Sequence, residues 1–161
     1  MDFGHLAMQI RTWGAELGFQ QVGISGTDLG DAERRLDEWV ARGLHGELDY
    51  MTRHGRKRSN PAQLVPGTTR VIVARMDCLP ATAQPSRTVL DDPGKAYIAR
   101  YALGRDYHKL MRHRLQKLAD RITAAGAAHG YRVFVDSAPV LEKPLAAAAG
   151  LGLQGKHTNL I

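Results

Sequence analysis

The chain has 161 residues, a length that predicts one domain over residues 1–161. Hydrophobic residues make up 43% and charged residues 24% of the chain, as in ordinary soluble proteins, and no apolar run approaches the roughly 20 residues that span a bilayer. The 22 basic and 16 acidic residues give a net charge of +6. This excess suits a polyanionic partner and an ordinary soluble surface equally well.

The start of the chain and its cysteine content indicate a cytoplasmic protein with no membrane contact. No basic segment followed by an apolar one opens the sequence, so a secretory signal is not predicted. The single cysteine, Cys78, excludes an internal disulfide and a cysteine cluster for metal. Because it lies in an apolar run, we expect a buried, inert thiol rather than a nucleophile.

Apolar spacing predicts the elements of the first half of the chain. Leu6, Ile10, Trp13 and Leu17 recur at helical spacing, whereas the apolar run that begins at Val71 suits a central strand. The predicted elements, in chain order, are a helix at 6–17, a strand at 21–25, a helix at 31–42, a short helical segment at 47–54, a helical turn at 60–66 and a strand at 70–79.

The second half begins with 80–94, which contains three prolines and no periodicity and is therefore predicted to be a loop. Asp106 is expected to cap the longest helix. The predicted elements after the loop are a strand at 95–101, a helix at 107–125, a strand at 131–136 and a short helix at 144–149.

Helices and strands are interleaved without a clean alternation, which predicts an α+β layered domain with a mixed sheet flanked by helices. A glycine-rich segment follows at 150–159, and the chain ends on Leu160 and Ile161. An apolar end after such a loop suggests a strand that is cut short. We therefore expect the chain to be truncated at its C-terminal end.

Two familiar motifs fail on inspection. Residues 150–156 match the G-x-x-x-x-G-K pattern of phosphate loops, but His157 stands where Ser or Thr should follow, and a helical stretch precedes the loop instead of a strand. His108 and His113 are five residues apart, so they point to different faces of the predicted helix, unlike a metal-binding pair. We predict no metal ligands in this chain.

Asp136 is a candidate for acid–base chemistry. It ends a predicted apolar strand, and functional side chains collect at the ends of strands in α/β-type proteins. Held against an apolar turn, its carboxyl group could serve as a general acid. A structural role, in which Asp136 caps the next helix, explains the same position.

Basic residues cluster in two places. Arg53, Arg56, Lys57 and Arg58 crowd one loop, and Arg105, Lys109 and Arg112 form a predicted stripe on the long helix. A cationic stripe suits a nucleic-acid backbone, and a solvated helix face explains it equally well.

Taken together, the motifs resemble those of epoxyqueuosine reductases, in the family's own order and over essentially the whole chain. The most similar runs are ARYALGRDYHK at 99–109 and FVDSAPVLEKPLA at 134–146. Three further segments carry the resemblance: HGELDYM at 45–51, the arginine and prolines of 58–67, and GLGLQGKH at 150–157.

The resemblance implies a fold and a chemistry. The fold would be a cobalamin-binding domain similar to nitroreductase-like and cobalamin-processing proteins. The reaction would be the conversion of epoxyqueuosine to queuosine at the wobble position of tRNA, with electrons delivered to cobalamin from two [4Fe–4S] clusters. We expect this segment to be the N-terminal domain of such an enzyme and to be monomeric.

Residue roles follow from the resemblance alone. Asp136 falls on the family's catalytic aspartate and would donate a proton to the departing oxygen. Residues in matching motifs are candidates for the corrin pocket: Arg58, Tyr101, Ser137, Gly155, Lys156 and Thr158. The candidates for the tRNA backbone are Arg105, Lys109 and Arg112.

The sequence departs from the family in one respect. The iron–sulfur cysteines and the helical repeats that follow in the family are not found in these 161 residues, and Cys78 cannot replace them. Two other interpretations stay open: a non-catalytic, basic tRNA-binding remnant, and a related corrinoid reductase that acts on a small molecule.

Overall fold

A computed structural model of the chain describes residues 2–79, 82–126 and 130–161. Its helices and strands agree with most of the predicted elements to within a few residues. In chain order they are α1 (Phe3–Glu16), β1 (Gln21–Ser25), α2 (Gly30–Ala41), α3 (Pro61–Leu64), β2 (Val71–Arg75), α4 (Ser86–Leu90), α5 (Tyr107–Ala124) and α6 (Glu142–Ala148). Single 3-10 turns lie at Asp49–Met51, Gly55–Lys57 and Arg100–Ala102.

The sheet is smaller than predicted. Strands β1 and β2 pair antiparallel, with Gln21 opposite Arg75 and Ser25 opposite Val71. An isolated antiparallel bridge joins Gln154 to Leu160 near the end of the chain. Within the described ranges, therefore, an antiparallel pair takes the place of the expected mixed sheet, although the combination of helices with a sheet is confirmed.

Two predicted strands are wrong. In 95–101 the chain is irregular and ends in the turn Arg100–Ala102, and 131–136 has no strand. Alternating apolar residues favour a strand only when a partner supplies the ladder of hydrogen bonds. Val135 is nevertheless buried, although the segment does not pair in the sheet.

The central core lies between α1, α5 and the sheet. Its buried members are Ile10 of α1, Phe19, Val22 of β1, and Leu118 and Ile122 of α5. Burial of such side chains stabilises the fold by roughly 1.5–3 kcal/mol each. Because the core fixes α5 against the sheet, it also fixes the first turn of that helix.

Helix α6 packs closely on β1 through a glycine. Leu145 is 2% exposed and Ala146 is buried. A Cβ atom added at Gly23 would lie 2.8 Å from the Cβ of Ala149, which follows the helix, so only glycine permits this approach. The predicted start of this helix was two residues late, since α6 already begins at Glu142.

The prediction for Cys78 is wrong, because its side chain is exposed. Strand β2 ends at Arg75, so Cys78 lies beyond the sheet, where the neighbouring Asp77 amide donates to Gln20 Oε1 at 2.7 Å. The predicted loop 80–94 contains helix α4, and its residues 80 and 81 lie outside the described ranges.

Candidate functional site

Asp136 stands at the centre of a cluster of polar side chains. Its backbone φ is 52°, in the left-handed region, where a non-glycine residue costs on the order of 1–3 kcal/mol. Aspartate tolerates this region better than most residues. The phenol of Tyr107 donates to Asp136 Oδ2, and His108 Nε2 lies 3.6 Å from the same oxygen.

The first turn of α5 delivers both of these partners. Asp106 caps the helix by accepting the His108 amide at 3.0 Å, and it also contacts His108 Nδ1 at 2.9 Å. The rings of Tyr107 and His108 stack with centroids 4.0 Å apart. The hydrogen bond with His108 lowers the pKa of Asp106, so this carboxylate remains charged and can hold the imidazole in one orientation.

Tyr107 is held in its neutral form. Its hydrogen bond to Asp136, followed by desolvation and the charge of that carboxylate, raises the pKa of Tyr107 to about 12. The phenol is therefore a hydrogen-bond donor throughout the neutral pH range. It directs a hydroxyl at one oxygen of Asp136 and leaves the rest of the carboxyl group for other partners.

Glu142 approaches Asp136 from the other side. Its Oε1 accepts the backbone N–H of Asp136 at 3.3 Å. The residue as a whole is exposed, but atoms packed around its carboxyl group desolvate it. This desolvation, with the charge of Asp136 second, raises the pKa of Glu142.

A mostly apolar cavity of about 280 Å³ adjoins this cluster through Tyr107. Tyr101, one of the predicted corrin contacts, lies on its wall and packs edge-on to Tyr107 with ring centroids 6.0 Å apart. The remaining lining residues are Met76, Cys78 and Met111. The predicted pocket residue Tyr101 and the predicted acid Asp136 are thus brought to the same place by Tyr107.

Ser137 and Arg58, two further predicted corrin contacts, also lie near the cluster. Arg112 donates to the Ser137 hydroxyl at 3.4 Å. The Arg58 carbonyl accepts the amide of Leu141 at 3.0 Å, which ties its loop to the residue before Glu142. The buried Nε of Arg58 has no hydrogen-bond partner within the described parts of the chain.

The other predicted corrin contacts lie in the terminal segment. The Gly155 N–H donates to the backbone carbonyl of Asn159, and the Gly155 carbonyl accepts the N–H of Thr158, both at 2.9 Å. Thr158 adopts a φ of 66°. Lys143 donates to Asn159 Oδ1 at 2.9 Å and so links this turn to α6, whereas Lys156 is exposed.

The basic stripe is shorter than predicted. Because α5 begins at Tyr107, Arg105 precedes the cap and lies outside the helical repeat. Lys109 and Arg112 share a helix face, and all three residues are exposed. Arg112 reaches Ser137, so the cationic face borders the Asp136 cluster.

Tyr107, His108 and Glu142 were not among the predicted site residues. The cap at Asp106 and the helical spacing could have placed Tyr107 and His108 on the first turn of α5. No local signal marks Glu142, since its contact with Asp136 depends on how α6 docks. Across 2–79, 82–126 and 130–161, no group of three acidic, histidine or cysteine side chains could hold a metal ion.

In those same ranges, no helix combines the length and the apolar character needed to cross a bilayer.

Residues 58–137 match the family described as "Epoxyqueuosine reductase QueG, DUF1730". An epoxyqueuosine reductase of Pseudomonas aeruginosa is 60% identical over 99% of this chain, and one of Escherichia coli is 52% identical over 100%. The chain spans 44% and 42% of the length of these relatives, respectively.

Solved structures of epoxyqueuosine reductases share the fold. One covers 98% of this chain with a TM-score of 0.78 at 21% identity, and the chain covers 41% of it. A Bacillus subtilis structure, in which a catalytic aspartate loop is swung out of the active site, has a TM-score of 0.74 at 20% identity, with the same coverage of both chains. With its sequence matched from end to end by these relatives, the chain belongs to the epoxyqueuosine reductase family.

Proposed function

We propose that this chain is the cobalamin-binding, N-terminal part of a cytoplasmic enzyme that reduces epoxyqueuosine to queuosine in tRNA. The observation that carries the proposal is the setting of Asp136. Its carboxyl group receives a hydrogen bond from Tyr107, which lines the cavity, and its backbone N–H donates to Glu142. The Bacillus subtilis relative has a catalytic aspartate loop, and the proposal makes the Asp136 loop its counterpart.

The residues around the cavity fit one edge of a corrin. A volume of about 280 Å³ is at the lower limit for a small-ligand pocket, so it would take part of the macrocycle and leave the rest on the open surface. The Nε–H of Arg58, which has no partner in the described ranges, would suit an amide carbonyl of the corrin side arms. Tyr101 and Ser137 would hold the cofactor near Asp136, and Gly155, Lys156 and Thr158 would close over it from the terminal turn.

Removal of the epoxide oxygen consumes two electrons and two protons, and the oxygen leaves as water. Cobalamin, when bound, supplies the electron transfer that no side chain can perform. Asp136 protonates the oxygen as the strained ring opens and charge develops there. With one cysteine, this chain cannot ligate a [4Fe–4S] cluster, so we infer that the clusters lie outside these 161 residues.

The proposed binding of tRNA rests on the cationic face formed by Arg105, Lys109 and Arg112. One epoxyqueuosine reductase structure contains a stem loop of epoxyqueuosine-modified tRNA-Tyr. Arg105, Lys109 and Arg112 would contact the phosphates of such a stem loop, since Arg112 borders Asp136 through Ser137. The purely RNA-binding alternative uses the same face without the cavity, and a small-molecule corrinoid reductase would use the cavity without the face.

The experiment adds cob(II)alamin to the chain and to its Asp136→Asn variant. Asparagine keeps the shape of the side chain and tolerates a left-handed backbone, but it has no acidic proton to transfer. We expect both proteins to shift the visible spectrum of the corrin. Absence of a shift at micromolar wild-type protein would exclude a cobalamin site in this chain.

Turnover is measured in a chimera in which these 161 residues replace the matching part of the Pseudomonas aeruginosa relative. The Asp136→Asn chimera should reduce epoxyqueuosine roughly 10²- to 10⁴-fold more slowly, the usual contribution of a general acid. Equal rates with and without the substitution would remove Asp136 from the acid role.

A further inference from the structure

The proposed reaction leaves the imidazole of His108 without a role, although it faces Asp136. Its Nε2 lies 3.6 Å from Asp136 Oδ2, the oxygen that also accepts the Tyr107 phenol. This separation is slightly longer than a hydrogen bond, and hydrogen bonds between catalytic groups are often long until a substrate binds. The imidazole and the proposed acid are therefore neighbours that a small rotation of either side chain would join.

The other side of the imidazole is fixed by the cap of α5. Asp106 Oδ1 contacts His108 Nδ1 at 2.9 Å and accepts the His108 backbone N–H at 3.0 Å. The ring of Tyr107 stacks on the imidazole with centroids 4.0 Å apart, and 45% of the His108 side chain remains exposed. These contacts hold the imidazole in one orientation, with Nε2 towards Asp136 and part of the ring open to solvent.

The pattern of donors and acceptors fits an imidazole that carries a proton towards Asp136. Both ring nitrogens face carboxyl oxygens, which are acceptors, and only the protonated ring has a hydrogen on each nitrogen. When the ring is neutral, Asp106 favours the hydrogen on Nδ1, because the contact made by one nitrogen decides which of the two is protonated. The proton that comes and goes is then the one on Nε2, next to Asp136.

A proton store beside the acid matters because an ordinary carboxyl group has lost its proton at neutral pH, whereas histidine titrates close to neutrality. The proton passes from His108 Nε2 to the Asp136 carboxylate, and from that carboxyl group to the oxygen that leaves the substrate. The neutral imidazole then regains a proton from solvent through its exposed side. Each cycle delivers one proton, so two cycles supply both protons of the reduction, and the electrons are those of the proposed reaction.

We propose that His108 is a positioning residue that acts through Asp136 and restores its proton, and that Asp106 orients His108 for this role. The inference rests on the proposed function of Asp136 as the acid. The titratable and charged groups around the pair are the carboxylate of Asp106, the phenol of Tyr107, the carboxyl group of Glu142 at the Asp136 amide, the ammonium group of Lys109 and the guanidinium of Arg112 at Ser137.

The orientation of the imidazole is tested by NMR on the 161-residue chain, without corrin or RNA, from the nitrogen chemical shifts of the His108 ring. Asp106→Ser keeps a residue that caps the helix but is too short to reach Nδ1, whereas Asp106→Asn keeps both the cap and an acceptor. With the ring neutral, we expect the hydrogen on Nδ1 in wild type and Asp106→Asn, and largely on Nε2 in Asp106→Ser. A hydrogen on Nε2 in wild type would overturn the orientation.

The proton supply is tested in the chimera, by the pH dependence of turnover with His108→Gln. Between about pH 5 and 7 the wild-type rate should change little, whereas the variant rate should fall about tenfold per pH unit, because its carboxyl group alone must keep the proton. The gap near pH 7 should reach roughly 10- to 100-fold. The matched control is His113→Gln, an exposed histidine on the same helix, which should keep the wild-type rate and profile.

A loss of equal size at every pH would mean that His108 is purely structural and would reject the proton supply. A wild-type rate that already falls about tenfold per unit from pH 5 would reject it without any variant. Failure of the proposed function is seen separately, as a missing corrin spectral shift or an active Asp136→Asn chimera, because the NMR measurement uses neither cobalamin nor turnover.

Discussion

At the scale of single residues, the division of work around Asp136 follows from hydrogen-bond chemistry. A phenol can donate to a carboxylate, and Tyr107 donates its hydroxyl to one oxygen of Asp136. His108 lies near that oxygen and is itself held by Asp106. Glu142 takes the amide. Each partner restrains a different part of one aspartate, which is the preorganisation that a proton donor requires.

The ionisation of Tyr107 reports on this arrangement. In wild type the pKa of Tyr107 is raised to about 12, chiefly by the hydrogen bond to Asp136, so Asp136→Gly, which removes the acceptor and tolerates the left-handed backbone, should bring the transition back towards 10. The neutral phenol is favoured in the folded protein. Its contribution to stability is therefore complete below pH 10 and is lost as the pH rises through about 12. Phenolate absorbance, corrected with Tyr107→Phe, measures the shift, and an unmoved transition would refute the contact.

Sequence reasoning singled out Asp136 as a candidate but could not define its surroundings. A carboxyl between an apolar segment and a proline is visible in the sequence, and so is the cap at Asp106. The contact between Asp136 and Tyr107 joins residues 29 positions apart, and it requires α5 and the Asp136 loop to be placed by the core. The pairing with Glu142 depends on a left-handed backbone, which no residue type in that run demands.

At the scale of elements, the site depends on how α6 docks on β1. Gly23 lies opposite Val73 in the sheet and against Ala149, just past the end of the helix. Any side chain at this position would push the helix outward. The start of the helix carries Glu142 and follows directly from Leu141, so a displaced α6 would also move the acid pair.

Gly23→Ala should therefore destabilise the protein by about 1–3 kcal/mol, the usual cost of overpacking. The matched control is Gly26→Ala, three residues along, where an added Cβ meets no atom within 4 Å. Denaturant unfolding measures both variants, and we expect the control to stay within about 0.5 kcal/mol of wild type. If the two substitutions had equal effects, the close approach of α6 to β1 would be wrong.

Helices were predictable and some strands were not, for one physical reason. The apolar stripe of α5 and its cap at Asp106 lie within one segment of the chain, so the sequence around them suffices. The segment 131–136 has an alternating pattern but no ladder partner, and the sheet retains only β1 and β2 in the described ranges. Strand formation depends on residues far away in sequence, which local patterns do not contain.

At the scale of the whole molecule, the structure shows where some of the residues behind the net charge of +6 lie. Arg105, Lys109 and Arg112 are exposed, and Arg112 donates to Ser137, the neighbour of Asp136. Some exposed cations elsewhere are held by acidic neighbours, as Arg34 is by Glu38 at 2.7 Å. A polyanion that binds Arg112 would therefore lie close to Asp136.

The salt dependence of RNA binding tests this orientation. Each phosphate contact steepens the fall of log affinity with log salt by roughly 0.7–0.9, so replacing Arg105, Lys109 and Arg112 with Gln should reduce the slope by about 2 to 3. The matched control replaces three exposed cations elsewhere: Arg11, Arg42 and Lys117. Both triple variants lose the same total charge. Their affinities for an anticodon stem loop are compared by titration at several salt concentrations. Because only local contacts release counterions, the control should keep nearly the wild-type slope. Equal losses in the two variants would mean that RNA senses net charge alone, and the cationic face would then have no part in aligning a substrate with Asp136.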